Sequence, residues 1–290
     1  MSSFELAEPR SLDEALSLLD DKDPAIRPIS GGTALMLMIK SQLFKPARLV
    51  SLRHLDGPFT GMSLSGDGAY LRIGAMTTFA EIEHSALVNR HFAVVAQSMK
   101  TLANVRVRNV ATVGGNLAHG DPHLDLPPIW MALDAEASIL NRSGERRIPI
   151  ADIFRGYYET TIADGELLAE IRVPLRPAWR STYIKVTTRS AHDWPALGLA
   201  VSAELGSGQV KDLRIVLSAA VDKPTRLSAA EAVLRGASLN EAVLRCAGDA
   251  AVGEVDMVSD SRGSAVYKQQ LLRVHLARAV RALAGVSEPW

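Results

Sequence analysis

The stretch "ATVGGNLAHGDPHLDLPPIW", residues 111–130, sets two adjacent glycines, two histidines and two aspartates into a segment with no helix or strand period. Three chemistries suit those residue types: a metal site, a His/Asp catalytic cluster, or a loop whose backbone holds an anion. His119, Asp121, His123 and Asp125 recur at two-residue spacing, which fits no established ligand pattern, and no thiolate joins them. A hydrolytic His/Asp pair needs a nucleophile. No serine or cysteine occurs in the stretch, and the chain has no G-x-S-x-G elbow. The third reading rests on "TVGGN", Thr112–Asn116, where glycines let backbone N–H groups approach an anion without interference from a Cβ. A plain Gly-Gly turn is the competing reading.

An earlier loop of the same type, "PISGGTAL" at 28–35, lies between a strand-like run and a helix start. Ser30 and Thr33 there flank Gly31 and Gly32 with hydroxyls. Two such loops, each presenting N–H groups, suit the two phosphates of a dinucleotide. Neither is a G-x-G-x-x-G fingerprint, and the chain has no G-x-x-x-x-G-K-[ST] sequence, so a Rossmann domain and a P-loop are unsupported.

Composition narrows the classes further. A chain of 290 residues with 47% hydrophobic and 22% charged residues reads as two globular domains. Lys plus Arg and Asp plus Glu number 32 each, which leaves no electrostatic footprint for nucleic acid or an anionic membrane. The N-terminal "MSSFELAEPRSLDEAL" is acidic where a signal peptide is basic, and no window approaches 18 continuous apolar residues. A cytoplasmic protein without an integral membrane segment is expected. The single cysteine, Cys246, excludes intrachain disulfides, thiolate zinc sites and an iron–sulfur cluster held by this chain alone.

Along the chain, "SLDEALSLL" predicts a helix capped by Ser11 and Glu14, "AIRPIS" and "ARLVSL" predict strands, and "ALMLMIKSQ" a helix start. "SGDGAYLRIGAMTT" alternates like a strand, and Thr78 with Glu81 forms a second capping box. "RHFAVVAQSMKTLA" and "DLPPIWMALDA" read as helices, and "EASILNRSGERRIPI" as a hairpin turning at Ser143-Gly144. Prolines around 174–180 mark a linker. Beyond it, "TYIKVTTR", "ALGLAVSAEL" and "VKDLRIVLSAAV", separated by turns such as "GSGQ", predict an antiparallel sheet. Helices cover it, with capping pairs Ser228/Glu231 and Ser238/Glu241, and a last amphipathic helix stops at Gly285.

Taken together, "SGGTALM", "VRVRNVATVGGNLAHGDPHLDLP", "GELLAEIRVP" and "YIKVTTRSAHDWPALGLAV" resemble, in order and over essentially the whole chain, the FAD-binding medium subunit of the molybdenum hydroxylases. Carbon monoxide dehydrogenase medium subunits and the flavin domain of xanthine dehydrogenase belong to that family. The resemblance implies an α+β architecture: a two-lobed PCMH-type (vanillyl-alcohol-oxidase-like) FAD-binding domain at 1–176, with lobes at about 1–57 and 58–176, then an α+β C-terminal domain at 177–290 whose antiparallel sheet is covered by helices. It also implies non-covalent FAD. Pro28, Ile29, Ser30, Gly31, Gly32, Thr33, Ala34 and Leu35 are then expected to wrap the pyrophosphate and adjoining ribityl region, and Ala111, Thr112, Val113, Gly114, Gly115 and Asn116 to form a second clamp.

By the same resemblance Leu102 packs on the cofactor, Asp125 hydrogen-bonds its flavin side, Leu168 lies beside the ring system and Lys185 reaches the flavin. A cation at the pyrimidine edge stabilises the negative charge of a reduced flavin. Without the resemblance, Lys185 reads as a solvated strand lysine. Trp194 falls where the family places a side chain over the isoalloxazine, a core tryptophan being the plain alternative. His123 stands where the family often has a small residue.

The implied function is electron transfer from [2Fe–2S] clusters through FAD to an external acceptor. No residue of the chain need act as a catalytic acid. With one cysteine, clusters and molybdopterin are expected on a small [2Fe–2S] subunit and a large molybdopterin subunit, in a dimer of heterotrimers. The cysteine-rich insertion of benzoyl-CoA reductase-type relatives is absent. The alternatives are a stand-alone PCMH-type FAD oxidoreductase acting on its own small molecule, and a metal- or nucleotide-sensing module built on the His/Asp stretch.

Overall fold

The structure, a computed structural model, describes residues 3–19, 23–55, 57–206 and 209–285. Its first sheet holds β1 (Glu5–Ala7), β2 (Ile26–Ile29) and β3 (Arg48–Ser51), parallel in the order β1-β3-β2, with α1 (Leu12–Leu19) and α2 (Leu35–Lys40) as crossovers. α1 forms because Ala15, Leu16 and Leu19 recur at helical spacing and bury one face. Ser11 Oγ accepts the Glu14 N–H at 3.2 Å, but Glu14 accepts from the Arg10 N–H rather than Ser11's, one residue away from the predicted box.

The second sheet gathers distant segments in the antiparallel order β4-β5-β10-β6-β7. β4 (Met62–Leu64) and β5 (Tyr70–Gly74) enter it first. Helices α3 (Phe79–His84), α4 (Ala86–His91), α5 (Ala93–Met99), α6 (Val105–Arg108), α7 (Val113–His119) and α8 (Leu126–Ala132) follow. The chain returns through β6 (Glu136–Asn141) and β7 (Gly144–Pro149), the small hairpin β8 (Phe154–Gly156) and β9 (Glu159–Thr160), and the central β10 (Leu167–Pro174). The Thr78/Glu81 capping box of α3 is complete. The β6–β7 pairing ends at Asn141↔Gly144, so its turn is Arg142-Ser143, one residue earlier than the sequence suggests. The stretch before Gly114 and Gly115 makes only a single bridge, Thr78↔Thr112, and the glycines themselves lie in the first turn of α7.

The C-terminal sheet runs antiparallel through β11 (Trp179–Val186), β12 (Leu197–Gly206), β13 (Gln209–Ser218) and β14 (Thr225–Arg226). Ser207 and Gly208 of the predicted "GSGQ" turn lie outside the described residues. α9 (Ser228–Leu234), α10 (Glu241–Gly253) and α11 (Ala265–Ala284) cover the sheet. Two predicted caps are corrected. Ser228 is the first residue of α9 and Leu227 its uncapped N-cap, because the Glu231 carboxylate turns instead to the Ile215 N–H at 2.9 Å and to Arg226. Asn240, not Ser238, caps α10, its Oδ1 accepting the Val243 N–H at 3.0 Å.

Among the described residues, three apolar cores join these layers. One lies between the first and second sheets, where Leu16, Val50 and Phe59 meet Leu167 and Ala169. A second, around the fully buried Trp130 of α8, extends across to Ala200 of β12 and Val216 of β13. The third fills the space between the C-terminal sheet and its helices. α8 reads as a continuous apolar run because every one of its residues is buried.

Candidate cofactor-binding site

The two glycine loops meet face to face. A Cβ on Gly31 would stand 1.8 Å from the Val110 carbonyl oxygen, and one on Gly115 would stand 2.6 Å from Ser30 Oγ. Thr112 Oγ1 donates to Ser30 Oγ at 3.1 Å, tying the loops together by a hydrogen bond. Gly114 is closed off on its other side, where a Cβ would be 2.6 Å from that of Ala75. The glycine pairs therefore exist partly to let two backbones touch.

Their N–H groups are used differently. At the start of α7, Val113 donates to Thr77 O (3.1 Å), Gly114 to Ala75 O (2.8 Å), Gly115 to Thr112 Oγ1 (3.1 Å) and Asn116 to Thr112 O (3.0 Å). The second loop has no free donor there, which corrects the expectation that both glycine pairs hold N–H groups open for an anion. In the first loop the opposite holds. Among the described residues, no protein acceptor meets the N–H groups of Gly31, Gly32, Thr33 or Ala34. These residues are half-buried, and Gly32 at φ +68° takes the left-handed conformation that curls consecutive amides into an anion-binding concavity. Pro28 and Ile29 end β2 and Leu35 begins α2, so strand and helix hold this nest from both sides. Asn116 Oδ1 is buried without a partner, an acceptor open to a ligand hydroxyl or N–H. Unpaired donors in series, a cradle that a Cβ would fill and an orphaned acceptor fit a dinucleotide with hydroxyl-bearing linkers, as FAD is.

A second group forms at the junction with β11. Asp125, buried, accepts from Tyr183 Oη at 2.7 Å and from Lys185 Nζ at 2.9 Å, and Lys185 also donates to the Thr101 carbonyl at 3.0 Å. Burial pushes the Asp125 carboxyl up, opposed by the Lys185 charge and its hydrogen bonds, and burial likewise pushes the Tyr183 phenol well up. With its side chain 7% exposed, Lys185 is not a solvated strand lysine. Two of its three donors are spent, and it lines an open cavity of about 220 Å³ together with Val94, Gln97, Ser98, Thr101 and Tyr183. Leu102 follows Thr101 and is buried in the same apolar core as Ala111, Val113 and Leu168. Leu168 sits where β10 departs from regular register against β6.

Trp194 joins neither group; it is 45% exposed, hence no core residue, and its ring meets His123 and Arg262. Sequence reasoning missed Tyr183, although alternation along β11 puts it on the same face as Lys185. It also missed Ala75, Thr77 and Val110, whose backbones shape the glycine loops from other parts of the chain. Among the described residues, no three His, Cys, Asp or Glu side chains converge to hold a metal ion, and no helix is long and apolar enough to cross a membrane. Asp121 is fully buried, Asp125 faces Lys185, and burial holds His119 below its ordinary range, partly offset by Asp121.

Comparison with known proteins agrees with this geometry. Residues 2–176 match the family described as the FAD binding domain in molybdopterin dehydrogenase, and 182–283 match the CO dehydrogenase flavoprotein C-terminal domain. The chain is 31% identical to the nicotine 6-hydroxylase medium subunit of Paenarthrobacter nicotinovorans, over 97% of each chain. It is also 31% identical to the carbon monoxide dehydrogenase medium chain of Afipia carboxidovorans, over 96% of each. Among solved structures, carbon monoxide dehydrogenase from Hydrogenophaga pseudoflava superposes with a TM-score of 0.93 at 31% identity, covering 98% of both chains. An α+β chain with these paired glycine loops and both family domains belongs to the FAD-binding medium subunits of the molybdenum hydroxylases.

Proposed function

We propose that the first glycine loop grips the FAD pyrophosphate and the second is its backstop. Four consecutive unpaired N–H groups at Gly31–Ala34 carry this reading. Pro28, Ile29, Ser30 and Leu35 shape that loop, while Ala111, Thr112, Val113, Gly114 and Gly115 press it into place and Asn116 offers its free acceptor. Leu102 and Leu168 give apolar contact. Asp125 holds Lys185, whose remaining N–H and positive charge favour the anionic, reduced form of the ring. Trp194 stands over the ring. The bound FAD supplies electron transfer, from [2Fe–2S] clusters on a small partner subunit to an external acceptor.

The division into a FAD-binding domain at 1–176, with lobes at about 1–57 and 58–176, and a C-terminal domain at 177–290 belongs to the same proposal. So does assembly with a large molybdopterin subunit and a small [2Fe–2S] subunit into a cytoplasmic dimer of heterotrimers. The medium chains and subunits among its relatives support a multi-subunit assembly. Purified alone, the chain should show flavin absorption released by acid precipitation, without iron or molybdenum. Expressed beside its genomic neighbours, it should co-purify with two further chains. A colourless protein that binds stoichiometric zinc, or a fully active monomer, overturns the reading.

A further inference from the structure

Residues from three parts of the chain close around one imidazole. His123 Nδ1 lies 3.1 Å from Oδ1 of the fully buried Asp121, and its Nε2 lies 3.6 Å from Oδ2 of Asp260. Asp121 also accepts the His123 N–H and the Tyr158 hydroxyl, both at 2.9 Å, so its carboxylate is fixed. Asp260 stands in the segment before α11, with the fully buried Lys268 Nζ at 3.0 Å and Arg262 at 3.7 Å. Trp194 contacts both His123 and Arg262. Its ring centroid is 5.4 Å from that of His123, tilted at 45°, and 5.8 Å from the Arg262 guanidinium carbon.

This arrangement demands an account because Trp194 belongs to an otherwise exposed connection. Residues 188–192 of the β11–β12 link are all exposed, and an indole on such a segment ordinarily samples several rotamers. The link leaves β11 one residue after Lys185 and closes by the Ala196 N–H on the Val186 carbonyl at 2.7 Å, so Trp194 is carried at the Lys185 end of the sheet. His123 stands two residues before Asp125, the partner of Lys185. One loop thus touches both the lysine and the indole.

We propose that His123 is a positioning residue for the electron-transfer reaction: braced on Asp121, it fixes with Arg262 the orientation of Trp194 and thereby governs how an external acceptor reaches the flavin. The inference rests on the reading that Trp194 stands over the ring. His123 itself touches no cofactor. The aromatic contact and the carboxylate contact are separable, since glutamine in its place keeps a side-chain N–H donor for Asp121 but offers the indole no ring.

The test uses the complete complex reduced with dithionite, freed of excess reductant and reoxidised anaerobically by the quinone menadione, so that no natural substrate is needed. Trp194→Ala should change the visible circular dichroism of the bound flavin and shift the menadione concentration dependence of reoxidation several-fold. His123→Gln should shift both in the same direction, with flavin content and Tm close to wild type, and the double variant should resemble Trp194→Ala alone. His123→Ala, which leaves Asp121 with one partner fewer, should add a loss of Tm that His123→Gln restores without restoring the menadione dependence. An unaltered flavin dichroism in Trp194→Ala overturns the placement of the indole and the inference with it. A change in Trp194→Ala but none in His123→Gln overturns the positioning role alone.

Discussion

A methyl group on Gly31 would stand 1.8 Å from the Val110 carbonyl, far inside van der Waals contact and against backbone that cannot swing aside. Gly31→Ala must therefore part the two loops, and the variant should fold but lose FAD on desalting, read as the flavin-to-protein absorbance ratio. Gly115→Val meets Ser30 Oγ at 2.6 Å, breaks the Thr112–Ser30 link and should likewise abolish retention. Full flavin content in either variant removes the clamp. Both glycine pairs stand out in the sequence as one loop type, but the difference between them does not. The acceptors that spend the α7 donors, Ala75 and Thr77, lie in another part of the chain and carry no local signal. Lys185 makes a second case. Lys185→Met leaves the buried Asp125 carboxylate with Tyr183 alone and should cost about 3–5 kcal/mol. Burial already raises the Asp125 carboxyl above its ordinary range, so its ionisation opposes folding above the folded-state value, and that cost is relieved as pH falls through it. The penalty for Lys185→Met should accordingly shrink as the pH is lowered in thermal unfolding. A penalty that grows on acidification contradicts the assignment.

Secondary-structure elements were legible where their signals were local. The Thr78/Glu81 box of α3 works within four residues and is present as read, whereas Glu231 abandons Ser228 because the sheet offers it the Ile215 N–H and Arg226. The glycines of α7 read as a loop before a helix rather than as part of it, since two glycines in a first turn disfavour one by roughly 1 kcal/mol each relative to alanine. Tertiary contacts reverse that preference: Thr112 caps the helix, and the glycines admit Ala75 and Ser30 where side chains have no room. The Thr112 hydroxyl thus serves the helix and the loop junction together. Thr112→Val should cost about 1–2 kcal/mol of stability and weaken FAD binding. Thr112→Ser should restore both, as followed by Tm and by flavin release on dilution; a valine variant that keeps wild-type FAD affinity means the Ser30 link is not needed.

Across the molecule, the prolines around 174–180 carry no signal of what holds the first two sheets in register with the C-terminal sheet. The apolar part of that register is the core around Trp130, which takes in Ala200 and Val216 from the C-terminal sheet. The polar part is Asp134, which pairs with Arg176 of the connection and with Arg214 of β13, while both guanidiniums lie over Trp179, 5.0 and 4.9 Å from its ring centroid. Arg214 is the weak member. Burial holds its guanidinium below the ordinary range, with Asp134 the leading opposing charge, and its Nε and Nη1 are buried without partners. Asp134 itself sits at φ +61°, a conformation asparagine tolerates equally, so Asp134→Asn removes the charge with little backbone penalty. Two guanidiniums then share one indole without the carboxylate that pairs with both, and Asp212 alone still opposes the Arg214 charge. Because Asp134 and Arg176 are partly exposed, the expected loss is discounted to about 1–2 kcal/mol. It should appear as faster limited proteolysis within residues 175–178, between β10 and β11, and a lowered Tm. Repulsion between exposed charges is screened within about 10 Å at 0.1 M salt, so the difference from wild type should narrow as salt rises. Equal cleavage rates at low salt would mean that the apolar core alone sets the register and that the arginines merely flank it.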